Sequence, residues 1–200
     1  MEDLRLPGLP TALTWHVPPA ESPSVAGGRV TVAAGALTDL FAPPAGETPI
    51  TNAPRALAPT RGDFQLLARV DGALVETFDA GALLLWSDSE RWAKLALERS
   101  REGEPTIVSV VTRERSDDCN SHTLEHAATW LRISRSADAC AFHASPDGAT
   151  WRLIRHFAVA GWEPLAAGIL VQSPRGEGMT ATFSELELHP TTLAGLRGGA

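Results

Sequence analysis

Seventeen glycines and fifteen prolines are scattered through the 200 residues, and nowhere between them does an apolar pattern hold a helical period for three or four turns. Breakers at that density limit element length, because proline removes a backbone donor and glycine costs entropy inside any regular element. What survives between them is a set of short runs, apolar at every second position or apolar throughout, and such runs read as strands. They are Val30 to Val32, Phe64 to Val70, Gly81 to Trp86, Trp92 to Glu98, Ile107 to Thr112, Trp130 to Arg135, Cys140 to Ala144, Trp151 to Phe157, Ala166 to Gln172 and Ala181 to Leu188. Their spacing of roughly 10 to 20 residues predicts an all-β fold, a sandwich of two antiparallel sheets. The stretch from Ala42 to Pro59, with five prolines, reads as a long loop. Residues 1–190 are expected to form a single domain and 191–200 a flexible C-terminal tail. The Asp147-Gly148 pair between two strand-like runs is a tight-turn signal, with Trp151 expected to pack beneath it.

A chain that is 44% hydrophobic and 20% charged can bury a sizeable core without disulfides or metals. Its net charge of -7 argues against a surface built to neutralise phosphates, so neither nucleic acid nor an anionic membrane is expected as a partner. No run approaches the roughly 18 consecutive apolar residues of a membrane span, and no basic segment followed by a secretory apolar run opens the chain. A cytoplasmic location is expected, with Cys119 and Cys140 as free thiols. Lys94 is the single lysine among 17 basic residues.

Strand alternation places Trp92, Lys94, Ala96 and Glu98 on one face and Ala93, Leu95 and Leu97 on the other. The second face is core. The first is an exposed or groove-lining row with an indole, an ammonium and a carboxylate, chemistry that suits a sugar: the indole stacks on a pyranose while the charged groups meet hydroxyls. A second row, Trp130, Arg132 and Ser134, would widen the groove if its strand joined the same sheet. His122-x-x-Glu125-His126 matches a zinc-protease pattern, but it sits in a polar stretch without the substantial helix that chemistry needs, and no metal or cofactor is expected. Glu185 and Glu187 alternate on the last strand, which is most simply an acidic outer face. No Gly-x-Ser-x-Gly elbow, phosphate loop or dinucleotide fingerprint is present.

In order along the chain come Thr38-Asp39-Leu40-Phe41, Thr51-Asn52-Ala53-Pro54, Gly62-Asp63-Phe64, Ala80 to Leu84, Trp92-Ala93-Lys94 with Glu98, Val110-Val111-Thr112, Ser116-Asp117, Leu131 to Arg135, Ser145 to Trp151, Gly168-Ile169 and Ser173-Pro174. This order resembles the regulation-of-enolase-like family of the concanavalin A-like lectin and glucanase superfamily, from about Leu13 to Leu188. The resemblance implies a jelly-roll β-sandwich whose concave sheet is where superfamily relatives bind glycans. It places Asp39, Asn52, Trp92, Lys94, Glu98, Asp117 and Arg132 near a concave site. The family pattern carries an aromatic after the Ser-Asp pair; Asp118 stands there in this chain. The three-acid strand of the superfamily's glucanases is missing, Glu98 standing alone where Lys94 and Ala96 replace further acids.

Non-catalytic binding of a saccharide or other polar small molecule is the leading expectation, with Trp92 and Trp130 stacking, Lys94 and Arg132 donating, and Glu98, Asp117, Asp39 and Asn52 orienting hydroxyls. A glycoside hydrolase using Glu98 and Asp117 is the second reading. A regulatory module that contacts a metabolic enzyme through a sheet face is the third.

Overall fold

The computed structural model describes residues 1–199. Its strands are β1 (Thr14–Val17), β2 (Ser24–Ala26), β3 (Arg29–Gly35), β4 (Leu40–Phe41), β5 (Ile50–Thr51), β6 (Arg55–Thr60), β7 (Phe64–Gly72), β8 (Ala80–Trp86), β9 (Arg91–Arg99), β10 (Pro105–Arg113), β11 (Arg115–Thr123), β12 (Ala128–Ser136), β13 (Ala139–Ser145), β14 (Arg152–Ala158), β15 (Leu165–Gln172) and β16 (Gly178–His189). Sheet I runs β1-β6-β15-β8-β9-β10-β11 and sheet II runs β14-β13-β12-β7-β16-β3-β2, both antiparallel, with β4 and β5 as a separate ribbon. Among the described residues no helix is long and apolar enough to cross a membrane.

The inner faces of the two sheets share one core, in which Leu83, Leu85, Ala93, Leu95 and Leu97 of sheet I meet Leu66, Ala68, Val70, Leu131, Ile133, Phe142 and Phe183 of sheet II. Each fully buried Leu or Phe is worth about 1.5–3 kcal/mol of transfer free energy. Strand β7 alternates buried and half-buried residues along its length, as a sheet with one wet face requires. Strands β8 and β9 are instead buried almost throughout. Their outer face is covered by a second apolar cluster in which Leu40 and Ala53, from the segment around the β4–β5 ribbon, pack on Leu57, Ala82, Leu84, Trp92, Ala96, Val108 and Val110.

Three elements differ from the sequence reading. The proline-rich segment contains β6, a strand within sheet I, so it is no continuous loop. Strand β1 pairs only with Arg55, Ala56 and Leu57, leaving one edge open at Pro59, where a residue without an N–H can sit. The polar stretch from Cys119 onward is edge strand β11, exposed on both faces and therefore without alternation. Trp130, not Trp151, lies under the Asp147-Gly148 turn: a methyl group added at Gly148, at φ +75°, would fall 2.8 Å from the Trp130 ring. Asp147 closes that turn by accepting from the amides of Ala149 and Thr150 at 2.9 and 2.7 Å.

Glu185 adopts φ 51° in a bulge where the β16–β7 register shifts, and beyond it Glu185 and Glu187 face outward while Leu186 and Leu188 are buried in the core. The 191–199 segment turns back over sheet II, where the Gly199 carbonyl accepts from Arg132 at 2.8 Å.

Candidate functional site

The floor of the candidate site follows from β9 and its neighbours. Register aligns Gly168, Leu84, Lys94, Val110 and Asp118 across sheet I in one row and Leu170, Ala82, Ala96, Val108 and Asn120 in the next. A third row brings Gln172, Ala80 and Glu98 together. Small residues at 80, 82 and 96 leave depth on this outer face. The chain returns over it, and between sheet and covering segment lies a cleft of about 820 Å³. Lys94, Glu98, Val108, Val110, Asp118, Asn120 and Gln172 line it from the sheet, and Leu37, Asp39, Phe41, Ile50 and Phe78 from the covering loops.

Lys94 is 2% exposed, and its Nζ donates to the Leu40 carbonyl at 2.8 Å and to Gln172 Oε1 at 2.7 Å, with Asp39 Oδ1 3.7 Å away. The ammonium therefore fastens the β4 segment to the sheet. Gln172 completes the brace by donating from Nε2 to the Phe78 carbonyl at 3.2 Å. Phe78 holds φ 72°, a strained conformation for a bulky residue. Next to it the buried carboxylate of Asp79 accepts from the amides of Val75 and Glu76 and from Ser173 Oγ, at 2.7–3.1 Å. Asn52 works at the same level: its Oδ1 accepts from the Asp39 amide at 2.8 Å and its Nδ2 donates to the Leu37 carbonyl at 3.1 Å.

Glu98 is different. Its residue is 8% exposed, it lines the cleft, and among the described residues no hydrogen bond reaches its carboxylate, although Lys94 lies close enough to act through charge. Burial pushes its carboxyl up to about 7; the Lys94 charge pulls the other way, and Asp39 and Asp118 add to the rise. The chemistry on offer is thus a proton-exchanging carboxyl in a half-enclosed space, with Asp118 and Asn120 exposed beside it and the half-buried rings of Phe41 and Phe78 as walls.

The sequence-predicted residues divide in two. Asp39, Lys94 and Glu98 converge on the cleft, and Asn52 holds its covering loop. Trp92 shares their face but is 1% exposed beneath the covering cluster, so it underlies the site and offers no ring to solvent. Trp130 and Arg132 lie on sheet II, so the two rows do not form one groove. Arg132 stands 4.1 Å over the Trp151 ring, and burial lowers its guanidinium to about 10. Asp117 faces away from the cleft, paired at 3.0 Å with Arg155 of β14. Its neighbour Asp118 takes the cleft-facing place, since adjacent strand residues point to opposite faces. Glu98 and Asp117 consequently cannot flank one scissile bond. Sequence reading missed Phe41, Phe78, Asp118, Asn120 and Gln172; Asp118 and Asn120 are set opposite Val110 and Val108 by a pairing that no alternation along β11 announces. The His122–His126 segment lacks the helix its motif would need, and no group of three or more His, Cys, Asp or Glu among the described residues could hold a metal ion.

Comparison with known proteins fits this architecture. A Saccharomyces cerevisiae protein named Regulation of enolase protein 1 is 27% identical over 130 residues, which is 64% of this chain and 65% of that protein's length. The crystal structure of a functionally unknown protein from Saccharomyces cerevisiae superposes with a TM-score of 0.82 at 25% identity, covering 92% of this chain and 97% of that one. A GH43 protein from Bacillus licheniformis has a TM-score of 0.73 at 14% identity, over 94% of this chain but 38% of its own, a likeness of fold. The fold is the concanavalin A-like jelly-roll sandwich. A family model described as a protein of unknown function (DUF1349) matches residues 15–191, and the chain belongs to that family.

Proposed function

We propose that the cleft on the outer face of sheet I binds a saccharide or other polar small molecule without transforming it. The observation that carries this reading is Glu98: a residue only 8% exposed, whose carboxyl opens onto the cleft and has no hydrogen-bond partner among the described residues. Burying such a group costs several kcal/mol unless something pairs with it. Ligand sites are apolar hollows with a few convergent polar groups, and Glu98, Asp118 and Asn120 among Phe41, Phe78, Val108 and Val110 match that composition. Lys94 and Gln172 are already committed to the fold and support the site from beneath. Standard glycoside hydrolysis needs two acids in defined opposition across the bond, and Asp117 is turned away from Glu98. The regulatory reading, contact with a metabolic enzyme, draws on the name of the yeast relative. A pull-down that returned one stoichiometric protein partner in place of a small ligand would favour it. The exposed thiol of Cys119 is at home in a reducing compartment, which supports a cytoplasmic setting.

A glycan array followed by calorimetry tests the binding reading. Retention of a saccharide, with affinity lost in Glu98→Gln and reduced in Asp118→Asn, is the expected result. Failure to retain any saccharide, or binding that ignores both substitutions, would remove the proposed site.

A further inference from the structure

We propose that the ligand of this cleft is a saccharide bearing an ammonium group, seated against Glu98 beside the rings of Phe41 and Phe78. The inference rests on the saccharide reading and narrows it. A neutral hydroxyl could hydrogen-bond to Glu98, but it would leave the buried charge uncompensated. An anionic group would meet Glu98, Asp39 and Asp118 together, all three on the cleft wall. A cation relieves that arrangement.

The resident cation does not do so. Lys94 carries the ammonium nearest the carboxylate on the same strand, yet its Nζ is held by the Leu40 carbonyl and Gln172 Oε1 at 2.8 and 2.7 Å, and Glu98 is left without a donor. The other charged groups that face the space are Asp39 from the covering segment, Asp118 from β11, Arg101 and Glu102 from the β9–β10 turn, and Arg175 beside β15. Arg101 and Glu102 oppose one another in sign on the exposed turn. Arg175 is engaged with the Phe78 ring, its guanidinium carbon 5.4 Å from the centroid. That contact also demonstrates that a ring of this cleft wall accepts a cation on its face. What remains is Glu98 and Asp39 within the cleft and Asp118 exposed at its side, against a single, already engaged Lys94. Leu37, Ile50, Val108 and Val110 complete an apolar surround, in which an ion pair gains strength over one in water.

Protonation follows from the same geometry. Near neutrality Glu98 exchanges its proton, and an arriving ammonium favours the ionised carboxylate, so binding releases protons. A neutral ligand recognised by the protonated carboxyl would behave in the opposite way.

The test is calorimetry on the full chain with three probes: methyl glucoside, its counterpart with a primary amine in place of the exocyclic hydroxyl, and that amine after N-acetylation. At about pH 8 the amine should bind at least about tenfold (~1.4 kcal/mol) more tightly than the other two. The advantage should shrink as pH falls through about 7, with proton release visible as a dependence on buffer ionisation heat. Glu98→Gln, which keeps the side chain's shape, should erase the amine's advantage, so that the amine binds the variant no more tightly than methyl glucoside does. Equal affinity for all three probes, or tighter binding of the neutral glycosides at low pH, would overturn the ammonium inference and leave saccharide binding standing. Absence of binding by all three would overturn both.

Discussion

Replacing Glu98 by glutamine removes the ionisable group and keeps its volume, so it isolates what ionisation costs the folded chain. In an unfolded chain this carboxyl titrates at its ordinary 4.5; in the fold it is raised to about 7, chiefly by burial. A raised folded value means that Glu98 costs nothing below about pH 4.5, costs progressively more as pH rises toward 7, and reaches a plateau above that. At ~1.4 kcal/mol per tenfold change in proton affinity, the plateau is on the order of 3 kcal/mol. Glu98→Gln should therefore match the parent chain at about pH 4.5 and exceed its stability by roughly 3 kcal/mol at about pH 8, which is roughly 6–12 °C in Tm for a chain of this size. Urea unfolding and thermal melts of both chains across that range measure the difference directly. A stability gap that does not change with pH, or a glutamine variant less stable than the parent at high pH, would refute the claim that an unpaired carboxyl is buried there.

Other expectations follow from the same packing. Lys94→Met should strand the Leu40 carbonyl and Gln172 Oε1 and cost roughly 3 kcal/mol in urea unfolding; a loss below about 1 kcal/mol would mean the ammonium does not fasten the covering loop. At Gly168 an added methyl would sit 2.0 Å from the Ala56 carbonyl oxygen and 2.9 Å from Leu57 Cα, backbone that cannot yield, so Gly168→Ala should destabilise by ~1–3 kcal/mol or more. Gly195→Ala, with nothing within 4 Å, should stay within about 0.5 kcal/mol of the parent by the same melts. Cys119 should react with a thiol reagent in the folded chain, whereas Cys140, buried and with its thiol pushed up to about 12, should react only at the rate of unfolding.

What the sequence made legible was local. Alternation along β9 assigned Leu95 and Leu97 to the core and Lys94 and Glu98 to the opposite face, because each strand side carries its own chemistry. The depth of that face was not legible: Leu40 and Ala53 cover Trp92 from more than a strand's length away in sequence, and no periodicity records what folds back over a sheet. Trp130 and Arg132 resemble the β9 row in composition, but their sheet is set by pairing β12 with β7 and β13, which the residues of β12 do not encode by themselves. Strand β11 escaped because an edge strand wet on both faces loses the apolar alternation that marks a strand. With the strand unseen, the choice between Asp117 and Asp118 could not be made, since a shift of one residue exchanges the faces.

The most direct measurement is the Glu98 side-chain carboxyl carbon resonance followed by NMR against pH. A midpoint near 7, moving down when a bound ammonium ligand saturates the cleft, is the expected result. A midpoint at the ordinary 4.5, unmoved by ligand, would mean that Glu98 is solvated and that the cleft is not the desolvated binding site described here.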